Sequence, residues 1–98
     1  MCEDMFEERL KKIKDDYLRY LLREEVRHII RNEFDKANEL HSDILKELNG
    51  SNINNVYIFY KKIRSEYKHF CNHAQLMQYN QCVEQLENII NNKTISHG

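Results

Sequence analysis

Proline is absent from this chain, and glycine occurs only at Gly50 and Gly98. A many-stranded fold turns often, and its turns draw on residues that fix φ near −65° or accept positive φ. With so few of either, the chain is restricted to a small number of long elements. The residues that make up its bulk, Glu, Lys, Arg, Leu, Ile and Asn, are for the most part compatible with helix.

The apolar spacing points the same way. Phe6, Leu10, Ile13, Tyr17 and Leu21 recur at steps of three and four, which gather on one face of a helix. A second stripe runs through Val26, Ile29, Ile30, Phe34, Ala37, Leu40, Ile44, Leu45 and Leu48. The two are out of phase across Arg23-Glu24-Glu25, so a kink is expected there. A further break is expected at Asn32 to Asp35, with Asp35 capping a helix that begins at Lys36.

Asn49-Gly50-Ser51-Asn52 places four turn formers together, and Gly50 is free to take positive φ. Beyond it, Val56, Phe59, Tyr60, Ile63, Tyr67, Phe70, Ala74 and Met77 form a third stripe. The phase then shifts to Leu76, Tyr79, Val83, Leu86 and Ile90, which predicts a break near Asn72-His73.

The expected fold is therefore all-α: a small antiparallel helical bundle or a long helical hairpin, with its main turn at 49–52. A hairpin would have arms of about 60 Å at 1.5 Å per residue. The compact bundle is preferred, because a lone hairpin cannot cover its own stripe. Residues 1–92 form one expected domain, and 93–98 a frayed polar tail. Leu10, Ile13, Ile30, Phe34, Leu40, Ile44, Phe59, Ile63 and Phe70 are the expected core.

Fifteen basic residues against sixteen acidic ones give no general pull toward nucleic acid or an anionic membrane. No apolar run approaches the roughly 20 residues of a membrane span. Cys2, Cys71 and Cys82 are an odd, widely spaced set, more like reduced thiols than a disulfide framework. With an acidic amino terminus that lacks a secretory signal, they suggest a cytoplasmic or nuclear protein. The acceptor patterns at Asn49-Gly-Ser and Asn92-Lys-Thr carry little weight in that setting.

Three groupings carry possible chemistry. Arginine followed five positions later by histidine occurs at Arg23 and His28 and again at Arg64 and His69. This spacing resembles the catalytic motif of the HEPN ribonucleases, which are small helical bundles. The resemblance implies a histidine moving a proton at a ribose hydroxyl and an arginine holding the scissile phosphate. His69 and His73 stand at i, i+4, a helical spacing that can present two imidazoles to one ion, with Cys82 as a third candidate ligand. Cys71 would point about 200° away from that face. The competing view is an exposed histidine pair and two packed thiols.

Basic residues at Arg9, Lys11, Lys12 and Lys14, and at Lys61, Lys62, Arg64 and Lys68, are interleaved with Tyr57, Phe59, Tyr60 and Tyr67. Acidic neighbours dilute both groups, so solvated helix faces are the simpler account. Carboxylate pairs such as Glu24-Glu25 are assigned to a polar face, with no apolar setting to perturb them.

From Val26 through the corner Asn32-Glu-Phe-Asp-Lys-Ala to Tyr60-Lys61-Lys62-Ile63-Arg64, the chain resembles a known helical domain. That domain is shared by steroid receptor RNA activator protein and the carboxy-terminal end of the COPII outer-coat subunit. Phe34, Ala37 and His41 would fill its corner and second helix, and Tyr60, Lys62 and Ile63 its third. The resemblance implies a non-enzymatic scaffold that binds another protein. The expected function is accordingly a helical interaction module or adaptor with no cofactor, and its partner another protein or a second copy of itself. Nucleic acid is not the expected partner. The expected partner-binding residues are Phe59, Tyr60, Ile63, Tyr67 and Phe70.

Overall fold

The computed structural model describes the backbone of residues 2–97 and the side chains of residues 6–92. Five helices follow in order: α1 (Cys2–Leu10), α2 (Asp16–Ile30), α3 (Phe34–Glu47), α4 (Ile53–Tyr67) and α5 (His73–His97). No strand occurs among the described residues. The longest principal dimension is 43 Å, well short of a two-arm hairpin, and the radius of gyration of 13.0 Å is that of a compact domain. The bundle is the fold. α2 lies along α3 and α4 along α5, while α1 crosses α2 and α4, and α5 also reaches α2.

The first break falls where the apolar spacing runs on without interruption. The chain leaves α1 at Leu10 and re-enters helix at Asp16. Asp15 caps the new helix, its Oδ1 accepting from the Leu18 amide at 3.0 Å. The Arg19 guanidinium donates to the Ile13 carbonyl at 2.7 Å and holds the connection in place. This interruption resets the helical phase. Ile13 stays buried in the connection, but Tyr17, expected on the apolar stripe, is 52% exposed. α2 instead buries Leu18, Leu21, Leu22, Glu25, Val26 and Ile29, one unbroken stripe at steps of three, one, three, one and three. Once the phase is reset at residue 15, no interruption is needed at Arg23–Glu25, and α2 runs through these residues as one continuous helix.

The second break lies where it was expected, with a different mechanism. Asn32 adopts φ 63°. The Glu33 amide donates to the His28 carbonyl at 2.8 Å and the Asn32 amide to that of Ile29 at 3.0 Å. This is a Schellman closure with asparagine in the left-handed position usually held by glycine. Helix resumes at Phe34 after Glu33, so Asp35 lies inside α3 and is not its cap.

The turn at 49–52 is present, but Gly50 does not take positive φ. Asparagine side chains hold it instead. Asn49 Oδ1 accepts from the Ser51 amide and hydroxyl at 2.8 and 2.6 Å. Asn52 Oδ1 accepts from the Asn49 amide at 2.8 Å, and its Nδ2 donates to the Glu47 carbonyl at 3.0 Å.

The break near residue 72 is also present. The Asn72 side chain accepts from the Gln75 amide, and the Gln75 side chain accepts from the Asn72 amide, both at 2.8 Å. This reciprocal pair is a capping box built from amides. Gln75 Nε2 also donates to the Ile29 and Ile30 carbonyls at 3.1 and 3.0 Å, so the start of α5 satisfies the end of α2. The α5 backbone runs on to His97; of the expected tail 93–98, the side chains and Gly98 lie outside the described residues.

Of the expected core, Leu10, Ile13, Ile44, Phe59 and Ile63 are buried, and Ile30, Phe34 and Leu40 pack against it part-buried. Phe70 is 65% exposed in the corner between α4 and α5.

Candidate functional site

Four polar side chains occupy apolar-stripe positions on four different helices. Glu25 sits within the α2 stripe between Leu22 and Val26. His41 lies four residues after Ala37 and three before Ile44 on α3. Tyr60 belongs to the buried face of α4, and Cys82 lies beside Tyr79, Val83 and Leu86 on α5. Packing the four stripes together brings these groups to one point inside the bundle. Glu25, assigned to a polar face by its charge and its neighbour Glu24, has 0% of its surface exposed. That assignment is overturned, because the phase set at Asp15 turns Glu25 inward and leaves Glu24 part-exposed.

The cluster is closely connected. Tyr60 donates its hydroxyl to Glu25 Oε1 at 2.6 Å. His41 Nδ1 donates to Glu25 Oε2 at 2.9 Å, with the Tyr60 hydroxyl 3.2 Å from the same nitrogen. The other ring nitrogen, Nε2, is hydrogen-bonded to Gln85 Oε1. Both ring nitrogens thus face oxygen acceptors, one of them on a buried carboxylate, an arrangement that favours protonation of the ring. Cys82 Sγ lies 3.7 Å from both Glu25 Oε2 and His41 Nδ1.

Electrostatics follow from this arrangement. Burial pulls the His41 pKa down, but the hydrogen bond and charge of Glu25, with help from Gln85, outweigh it and leave it raised. Burial, reinforced by the Glu25 charge, drives the Tyr60 hydroxyl and the Cys82 thiol well above their usual values. Cys82 is thus the reverse of an activated nucleophile, which needs a depressed pKa. The thiol and the carboxylate also share one imidazole nitrogen, whereas a Cys-His-acid triad places them on opposite nitrogens.

A groove of about 510 Å3 opens above the cluster between α3 and α5. His41 and Cys82 lie at its floor, and Asn38, Ser42, Gln78, Gln81 and Asn88 are among its walls. Gln78 Nε2 bridges it at one end, donating to Asn38 Oδ1 at 2.7 Å. Among the described residues, no lysine or arginine lines it.

The residues singled out by motif are placed elsewhere. Arg23 donates to Glu7 at 2.8 and 3.1 Å, tying α2 to α1. His28 is paired with Glu33 at 2.7 Å across the α2–α3 corner. Positions five apart on a helix differ by about 140°, so these two side chains diverge. Arg64 reaches Asn80 at 3.4 Å, while His69 lies beyond the end of α4 in the exposed corner. The structure brings neither Arg–His pair into one cleft.

His69 and His73 are both exposed, and they do not share a helix, since α5 begins at His73. Among the described residues, the metal-capable donors that converge with Cys82 are Glu25 and His41, all within 4.8 Å of one another. Phe59, Tyr60, Ile63 and Tyr67 are buried inside the chain's own core, and Phe70 alone of that group is exposed. Of the basic groups, Arg9, Lys12 and Lys62 meet at a smaller groove over Ile58 and Phe59, with Arg9 already held by Glu66.

Sequence reasoning missed Glu25, His41 and Gln85 as site residues. The signal for the first two was present: a charged or ionisable residue falling on an apolar stripe. For Glu25 it becomes readable only once the helix start at Asp15 is known. No protein-family model matches this chain, and neither does any curated protein or solved structure.

Proposed function

We propose that this protein is a non-enzymatic helical adaptor that seats a segment of a partner protein in the groove between α3 and α5. The observation that carries the reading is the groove's lining. Asn38, Gln78, Gln81, Gln85 and Asn88 offer amide donors and acceptors that match a polypeptide backbone, and among the described residues no cation lines the groove to favour a phosphate. Glu84 adds a negative charge to the rim. That composition weighs against nucleic acid, whose affinity comes chiefly from lysine and arginine. No helix among the described residues is long and apolar enough to cross a membrane.

The test is to purify the full chain from its native cells, identify a stoichiometric partner, and rebuild the complex from pure components. Asn38→Arg and Gln81→Arg, one on each wall, should each weaken that complex at least tenfold while leaving the helical circular dichroism unchanged. A complex indifferent to both substitutions would remove the groove from the account. Binding to RNA that falls steeply with salt would favour a nucleic-acid protein instead.

A further inference from the structure

The buried cluster has a property that the docking proposal does not use. Glu25 Oε2, His41 Nδ1 and Cys82 Sγ form a triangle with sides of 2.9, 3.7 and 3.7 Å. A point about 2 Å from all three atoms therefore exists, close to the bond lengths of zinc to nitrogen, oxygen and sulfur. In a tetrahedral site the two edges to sulfur would be about 3.5 Å and the nitrogen–oxygen edge about 3.3 Å. The sulfur edges are already near that, and only the hydrogen-bonded edge must widen, by a few tenths of an ångström. We propose that Glu25, His41 and Cys82 form a binding site for a divalent transition-metal ion of the zinc class, its fourth position facing the α3–α5 groove.

Three further observations support the assignment. The donors are one carboxylate, one imidazole and one thiol, a set that suits zinc and is poorly matched to magnesium or calcium. The ligands are already oriented by outer partners: Gln85 Oε1 lies against His41 Nε2 and so turns Nδ1 inward, and the Tyr60 hydroxyl donates to Glu25 Oε1, which leaves Oε2 facing His41 Nδ1 and Cys82 Sγ. Such second contacts, an accepting oxygen behind the histidine above all, are the usual companions of a metal ligand. The groove supplies a route in, and it reaches both His41 and Cys82.

Binding is coupled to proton release: a dication displaces the Cys82 thiol proton and any proton on His41 Nδ1, so that a thiolate and a neutral imidazole nitrogen face the ion.

The experiment uses the full chain carrying Cys2→Ser and Cys71→Ser, so that Cys82 is its only thiol. The reduced, chelator-treated protein is titrated first with Co²⁺ and then with Zn²⁺. The expected result is one ion per chain, a thiolate-to-cobalt charge-transfer band that zinc abolishes, and release of protons on binding. X-ray absorption of the zinc form should show one sulfur at about 2.3 Å with nitrogen and oxygen at about 2.0 Å. Adding Cys82→Ser should remove the band and weaken zinc at least a hundredfold, and His41→Gln should do the same. Because either core substitution can unfold the chain, the spectrum of the Cys82-only protein decides by itself. A folded protein that gives no charge-transfer band, or a zinc shell without sulfur, would overturn the site.

Discussion

Replacing Glu25 by leucine tests whether the buried cluster is one coupled network. Glu25 has none of its surface exposed, and it accepts from both Tyr60 and His41. Leucine removes the acceptor and strands an imidazole and a phenol hydroxyl among apolar side chains. Breaking one side of a buried charged pair costs about 3–5 kcal/mol. A domain of this size has a total stability of about 5–15 kcal/mol, so the variant should lie near the edge of folding. At about 4–8 °C per kcal/mol, the expected fall in Tm is roughly 12–40 °C. Glu25→Leu combined with His41→Leu removes both charges and leaves chiefly the Tyr60 hydroxyl unpaired, at about 1–3 kcal/mol. The double variant should therefore be more stable than Glu25→Leu alone, giving a coupling of at least about 2 kcal/mol in the double-mutant cycle. Urea unfolding with a chelator present, followed by circular dichroism, measures all four corners. Additive losses, or a single variant within about 1 kcal/mol of the parent, would refute the picture of a buried ion pair.

Three further outcomes follow from local geometry. The raised His41 pKa means that the folded state binds its proton more tightly than the unfolded chain does. Its contribution is complete below the unfolded value of about 6.5 and is lost as pH rises through the folded value; the raised Cys82 pKa acts in the same direction at higher pH. The Tm of the metal-free protein should thus fall between about pH 6 and pH 9, and a rise across that window would contradict it. Among the described residues the Tyr79 hydroxyl is buried without a hydrogen-bond partner. Tyr79→Phe should therefore keep the edge-on contact with Tyr67 and be neutral or more stable by up to about 1 kcal/mol in urea unfolding, where a clear loss would reveal a partner. At Asn32, φ 63° favours glycine, while the side chain accepts from Asn72 at 2.9 Å across the two corners. Asn32→Ala should be about 1 kcal/mol less stable than Asn32→Gly, and equal stabilities would show that the left-handed turn is not retained.

Much of the architecture was legible without coordinates. The lack of proline and the scarcity of glycine excluded a many-turned sheet, and the three-four spacing of apolar residues required helices. The turn at 49–52 could be located from its four consecutive turn formers, the break near 72–73 from a phase shift in the apolar stripe, and the one at 32–35 from a weak point with a candidate cap. Their closures were less readable: Asn32, and not a glycine, takes the left-handed position, and side-chain bonds replace the backbone freedom expected of Gly50. The break at residues 11–15 escaped because Phe6, Leu10, Ile13, Tyr17 and Leu21 keep a helical rhythm straight across it.

That one missed boundary decided how the cluster was read. Phase along a helix is counted from its start, so an unseen cap at Asp15 left Glu25 on the wrong face. Tyr60 stood on an expected apolar stripe and is buried; His41, four residues after Ala37, and Cys82, three after Tyr79, also fall at helical spacing from apolar positions, but neither was counted on a stripe. Periodicity says which face a residue occupies, but not which residues on other helices meet it there. The meeting of Glu25, His41, Tyr60 and Cys82 spans sequence separations of up to 57 residues and depends on how four helices are arranged around one axis. Local chemistry fixed the helices and most of their ends; long-range packing alone chose which buried polar groups would share a point in the core.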